Sequence, residues 1–247
     1  MGLKDRLFGS GGRKTKVEKL TKRVTNQYAQ SVDRYGAMED LIKLAGQDDS
    51  QTDAAYVALL KRFTMNASKS IDDEEEKGWL YNRMSAIGKP LLPALKIFCC
   101  ESESIAWALR IIEDVASEDE EWEILDAVLK VHPPEYERDT GAKEQMLTHL
   151  KEIDDPRVRD ILASYLEDPD ENIRFFCIEA LIDNAEIESL PALIGYLEKS
   201  EGESVRLRTR ILDGLSDLGW DLSAHADLIK KVVRDEHSFD GTKLSRR

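Results

Sequence analysis

The stretch 161–197 reads ILASYLEDPDENIRFFCIEALIDNAEIESLPALIGYL, and its periodicity sets the fold. It opens on an amphipathic run ending Leu162-Ala163-Ser164-Tyr165-Leu166-Glu167. Asp168-Pro169-Asp170 then makes a tight turn and a helix start, since proline suits the first helical turn and acids complement its dipole. Ile173, Phe176, Cys177, Ala180 and Leu181 follow at i, i+3, i+4, i+7 and i+8, one face of a helix. After Asn184-Ala185 a second stripe appears at Ile187, Leu190, Leu193, Ile194 and Leu197. The unit is helix, turn, helix, turn, and no alternating strand pattern interrupts it.

The unit recurs outward from there. Leu190-Pro191-Ala192-Leu193 echoes Leu92-Pro93-Ala94-Leu95, 98 residues earlier, close to three periods of about 33. Small or turn residues that end every second helix fall at Ala45, Gly88, Ala116, Asp154, Ala185 and Gly219. The two longest steps contain the polar stretch 66–76 and the His132-Pro133-Pro134-Glu135 loop. The sequence predicts paired helices near 33–45 and 52–65, 73–87 and 90–100, 103–116 and 119–131, 138–153 and 155–167, 169–184 and 187–199, and 203–219 and 223–235. A basic helix near 15–30 is expected to cap the front. The expected organisation is a flexible segment at 1–12, one solenoid over 13–236 and a polar tail at 237–247.

These motifs resemble the HEAT family, in particular the short HEAT-like repeats of bacterial proteins that include the bilin lyases. The resemblance is carried by Asp168-Pro169-Asp170-Glu171-Asn172-Ile173-Arg174, Glu179-Ala180-Leu181, Leu190-Pro191-Ala192-Leu193 and Ile87-Gly88-Lys89-Pro90. It implies an all-α superhelix of about six helix pairs whose inner helices line a concave face. The departures are Ala185 and Asp154, where a glycine is usual, and Ser104-Ile105-Ala106-Trp107, where a Val-Arg pair is missing. One such helix pair cannot bury its apolar stripe alone, so stacked neighbours supply the core.

Composition narrows the roles. The 247 residues carry a net charge of −14, and 34% are charged. Residues 1–34 hold nine bases against three acids, which leaves −20 for residues 35–247. Residues 101–140 alone hold 13 acids and three bases. Such a field repels phosphate backbones, so nucleic acid is not an expected partner. No apolar run approaches the roughly 18–20 residues of a membrane span. Three cysteines, two of them adjacent at Cys99-Cys100, do not make a disulfide framework, and they fit a reducing cytoplasm. Met1-Gly2-Leu3-Lys4-Asp5-Arg6 leads to no apolar signal region, and Arg6 stands where a myristoylation signal wants Ser or Thr.

Motifs that carry chemistry are scarce. His132, His149, His225 and His237 form no metal-ligand spacing, and no Cys-x-x-Cys is present. Gly9-Ser10-Gly11-Gly12 reads as a linker, since it lacks the spacing of a phosphate loop. Asp72–Glu76 and Glu118–Glu121 read as acidic helix N-termini. No catalytic residue, cofactor or metal is expected.

Two features stand above this background. Trp107, Arg110 and Asp114 fall at i, i+3 and i+7 of an inner helix, with Trp79 and Arg83 one turn apart on the preceding inner helix. Trp and Arg are favoured where binding energy concentrates. The bland alternative packs Trp107 on its neighbour and pairs Arg110 with Glu113 or Asp114. The second feature is Lys14–Arg23, a basic helix with Val17, Leu20 and Val24 on one side. It suits a cap, or an anionic membrane surface. The expected role is a non-enzymatic cytoplasmic scaffold that binds a protein with a basic patch. Bilin attachment, by fold analogy, and peripheral membrane association are the alternatives.

Overall fold

The computed structural model describes residues 15–47, 50–199 and 204–247. The expected flexible segment 1–12 lies outside them. The described residues form thirteen α-helices and one two-stranded hairpin. They divide into two compact units. The first runs to Val131 and includes 139–146; the second holds 132–138 and 147–247.

In the first unit, α1 (Lys16–Val24) begins at a capping box. The Thr15 hydroxyl accepts from the Glu18 N–H, and the Glu18 carboxylate accepts from the Thr15 N–H. Leu20 and Val24 are buried as α1 packs on α2 (Ser31–Ala45) and α3 (Thr52–Leu60). The helix expected to reach residue 30 stops at Val24, because Asn26 to Ala29 close a separate turn. A tight 3-10 turn, Lys61–Thr64, extends α3.

Next come α4 (Ser70–Ile87) and α5 (Leu92–Glu101). Between them Gly88 takes φ +75°, which an L side chain resists, and Pro90 opens the next turn. α6 (Ala106–Val115) and α7 (Glu118–Val131) complete the pairs. Successive packing of α2, α4 and α6 makes one layer, and of α3, α5 and α7 the other. Leu41, Leu59, Leu80, Met84, Leu95 and Ile112 fill the space between them. The diverged start of α6 is capped from a distance. Gln145, on the first part of α8 (Gly141–Lys151), accepts from the Ile105 and Ala106 N–H groups at 2.6 and 2.7 Å.

The second unit continues the pairing with α9 (Pro156–Ser164), α10 (Glu171–Asp183), α11 (Leu190–Lys199), α12 (Val205–Leu218) and α13 (Ala226–Val232). Asp170 caps α10 by accepting from the Asn172 and Ile173 N–H groups. α10 packs on α12 so closely that a Cβ on Gly214 would lie 2.4 Å from Ile182 Cδ1. Cys177 in this unit and Cys99 in the first are fully buried, and burial pushes both thiols far above their ordinary range.

The segment expected to be a polar tail is instead structured. β1 (His237–Phe239) pairs antiparallel with β2 (Leu244–Arg246), with Ser238 opposite Ser245. The hairpin packs on α12 and buries Leu244 and His237. Asp240 holds the turn by accepting from the Thr242 and Lys243 N–H groups, with Gly241 at φ +105°. His237 Nε2 lies 2.9 Å from Asp213, and Arg246 reaches Asp213 and Asp217. Three-residue strands are too short for alternation to show, but the Asp240-Gly241 dipeptide was a hairpin signal in the sequence.

Candidate protein-binding face

The geometry of this face begins with how α4 is held. Its first turn carries Asp72 and Asp73, as an acidic N-terminus should. Asp73 and Glu76 do not stay in solvent, however; they turn inward with Lys77. Glu76 is fully buried and accepts from Ser31 Oγ, from Arg34 Nε and Nη2, and from Arg62 Nε, at 2.7–2.9 Å. Asp73 accepts from Arg62 Nη2 and the Ala67 N–H and pairs with Lys77. Arg34 also donates to the Asn26 and Ala29 carbonyls, and Arg62 to that of Met65. Two irregular segments, the helices α2 and α4 and the 3-10 turn at Lys61–Thr64 are thereby tied to one charged knot. Burial alone would raise both carboxyls, but the cationic and hydroxyl donors outweigh it and hold each below its ordinary value.

The sequence reading of Asp72–Glu76 as a plain acidic helix start therefore missed this network. Its signal was present: Arg34 stands on the same stripe as Ala37, Met38 and Leu41, a place where a charge must be paired.

With α4 pinned by that face, its other two sides are fixed by the 100° turn per residue. Trp79 and Arg83 flank α4 on the α2 side. Tyr35 of α2 meets Trp79 edge-on, with ring centroids 5.1 Å apart, and the Arg83 guanidinium lies 5.5 Å from the Trp79 ring centre. Tyr81 and Ser85 flank α4 on the α6 side, where α6 brings Trp107, Arg110 and Asp114. Trp107 stacks on Phe63, at 5.1 Å and 14° between planes, and meets Tyr81 at 5.8 Å. Arg110 lies over both rings, 4.9 Å from Trp107 and 5.0 Å from Tyr81. Asp114 accepts from the Tyr81 and Ser85 hydroxyls. Those two donors hold the Asp114 carboxyl below its ordinary value, and Asp114 in turn raises the Tyr81 hydroxyl.

The five residues singled out from the sequence thus fall into two clusters, one on each side of α4. Trp107, Arg110 and Asp114 converge on Tyr81; Trp79 and Arg83 gather on Tyr35. The neighbour on which Trp107 packs is Phe63. Arg110 is cradled by aromatic faces, and Asp114 is engaged by hydroxyls. Arg83, Arg110 and Asp114 are exposed, while Trp79, Tyr81 and Trp107 are half-buried. Tyr35, Phe63, Tyr81 and Ser85 complete the arrangement and were not singled out. Their only sequence signal was the aromatic character of three of them.

Rigid half-buried rings carrying exposed guanidinium groups offer a preformed contact surface with little side-chain entropy left to lose. Among the described residues no group of three or more His, Cys, Asp or Glu is placed to hold a metal ion. No helix of the described residues is long and apolar enough to cross a membrane.

Residues 135–212 match the family of HEAT repeats, a stretch that contains α8 to α11 and reaches into α12. No curated protein and no solved structure matches the chain.

Proposed function

We propose that this chain, HEAT-repeat over residues 135–212, is a non-enzymatic scaffold that binds a partner protein on the inner face of its α4 and α6 helices. HEAT repeats are typically protein-interaction modules, and their inner helices line an extended concave surface. The observation that carries the reading is the pair of arginine-on-tryptophan clusters, Arg83 on Trp79 and Arg110 on Trp107. Aromatic residues and arginine are enriched where interfaces concentrate their energy. The net charge of −14 favours encounter with a partner whose overall field is positive, in a cytoplasmic setting, and such association weakens as salt rises.

The test is a pull-down with the tagged full-length chain at low and high salt, beside the Trp107→Ala/Arg110→Ala double variant. One dominant protein, retained by the native chain and lost from the double variant, is the expected result. A partner that the double variant retains moves the site away from α6. Enrichment of a bilin pigment, or of anionic vesicles through the basic α1, would replace the scaffold reading. The apolar side of α1 is already occupied, since Leu20 and Val24 are buried against α2 and α3.

A further inference from the structure

Of the seven large apolar side chains exposed among the described residues, three belong to adjoining segments: Tyr28 at 81%, Val32 at 69% and Ile71 at 71%. Val32 is on the first turn of α2 and Ile71 on the first turn of α4. The Ser68 N–H donates to the Gln27 carbonyl, and Ser31 and Arg34 bond Glu76, so the leading ends of the two helices lie side by side. Tyr28 stands next to Gln27 at that junction. Further along, Tyr35 meets Trp79 edge-on, and both rings are half-buried. The exposed side chains thus continue an aromatic contact that already joins α2 to α4. Single exposed apolar residues are ordinary, but a run of them along two packed helices marks an interaction surface.

Two glycines point the same way. Gly36 follows Val32 by one turn of α2, and Gly78 follows Ile71 by two turns of α4, so each shares the outward side of its helix. Both sit inside helices, where glycine is weaker than alanine. A Cβ at either would meet nothing within 4 Å, and neither has a positive φ. Neither packing nor backbone conformation therefore calls for glycine, whereas bare backbone leaves room for a partner to approach closely. The rim sets the sign of that partner. Asp33, Glu39 and Asp40 of α2 and Glu74 and Glu75 of α4 are exposed, against Lys43 and Arg83 as the exposed bases of these two helices.

We propose that the outward surface of α2 and α4 docks a basic amphipathic segment of a partner protein. Its aliphatic or aromatic side chains seat on Tyr28, Val32 and Ile71, and its Lys or Arg residues face the rim carboxylates. This deepens the scaffold reading and rests on it, by stating which part of a positively charged partner makes contact. Apolar burial supplies the affinity, and the carboxylates supply orientation and encounter rate.

The probe is a labelled helical peptide with Leu at i, i+3, i+4 and i+7 and Lys elsewhere, titrated against the full-length chain by fluorescence anisotropy. Controls replace Lys by Glu, or Leu by Ser. The expected result is saturable binding that weakens at least about tenfold in either control. Val32→Ser/Ile71→Ser should weaken it by a similar factor at an unchanged thermal midpoint, because both side chains are exposed. Glu74→Lys/Glu75→Lys should weaken it roughly three- to tenfold and flatten its salt dependence. Gly36→Gln and Gly78→Gln should each raise the thermal midpoint, since glutamine is the better helix former, and yet weaken binding. A purely structural role would not move those two readouts in opposite directions. Equal binding of the Lys and Glu peptides, or full binding by Val32→Ser/Ile71→Ser, would overturn the proposal. So would dimerisation of the native chain that Val32→Ser/Ile71→Ser abolishes, which would make a second copy the occupant. Peptide binding seen only after removal of residues 1–14 would assign the surface to the chain's own Leu3, Leu7 and Phe8, and overturn it likewise. If the peptide fails while Trp107→Ala/Arg110→Ala still loses its protein partner, the docking inference falls and the scaffold reading stands.

Discussion

Glu76 accepts four hydrogen bonds in a fully buried site, and two of its donors are arginines that themselves have almost no exposure. Removing that carboxylate leaves Arg34 and Arg62 buried, with Asp73 bonded to Arg62 alone and no carboxylate hydrogen-bonded to Arg34. Breaking one partner of such a network costs about 3–5 kcal/mol, far more than an exposed ion pair. Glu76→Gln should lower the unfolding free energy by that amount, read as a lower urea midpoint at unchanged slope, while leaving the helical signal of the folded state intact. The same site shapes the acid limb of stability. Both Asp73 and Glu76 titrate below their ordinary values of 3.8 and 4.5 in the folded chain. Around pH 4 the unfolded chain therefore binds more protons than the folded one. Their stabilisation is complete above pH 4.5 and is lost as pH falls through the depressed folded values. Thermal midpoints followed downward from neutral pH should drop steeply in that window, and less steeply in Glu76→Gln.

At the scale of elements, helix ends separate what composition can specify from what context imposes. Gly88 and Gly219 end α4 and α12 with positive φ, as their residue type permits. α10 ends at Ala185 with φ +53°, where the repeat pattern would place a glycine. An L residue in this region costs roughly 1–2 kcal/mol, partly offset by the extra unfolded freedom of glycine, about 0.5–1 kcal/mol. Ala185→Gly should therefore stabilise the chain by about 0.5–1 kcal/mol, read as a higher denaturation midpoint at unchanged slope. A fall in the midpoint would show that the Ala185 methyl makes contacts worth more than the strain. The start of α6 illustrates the reverse case. No local residue caps it, and Gln145 does so from about forty residues away, which no local pattern could announce.

For the molecule as a whole, the C-terminal hairpin closes the second unit. Leu244 and His237 are buried on α12, Leu222 donates to the Thr242 carbonyl, and Arg246 reaches two aspartates of α12. The hairpin thereby covers an apolar face of α12 that would otherwise meet water. Truncation after Asp235 should lower the thermal midpoint and expose α12 and α13 to limited proteolysis. Unchanged cleavage would mean that the hairpin is dispensable as a cap.

The helices, their pairing and their repeat are legible in the residue order, because a 3.6-residue apolar stripe and Gly or Pro punctuation are local and cumulative. That order also singled out Trp79, Arg83, Trp107, Arg110 and Asp114, since aromatic and arginine residues at helical spacing on a polar helix are conspicuous. How those five divide around Tyr81 and Tyr35 follows from helix packing instead. The same packing sets Phe63 under Trp107 and gives Asp114 hydroxyl donors for its hydrogen bonds, with Arg110 acting on it through charge alone. The same holds for the buried charges at Asp73 and Glu76 and for the cap over α12. Each depends on which side of one helix faces the next, and that is fixed by packing between residues tens of positions apart rather than by any local pattern.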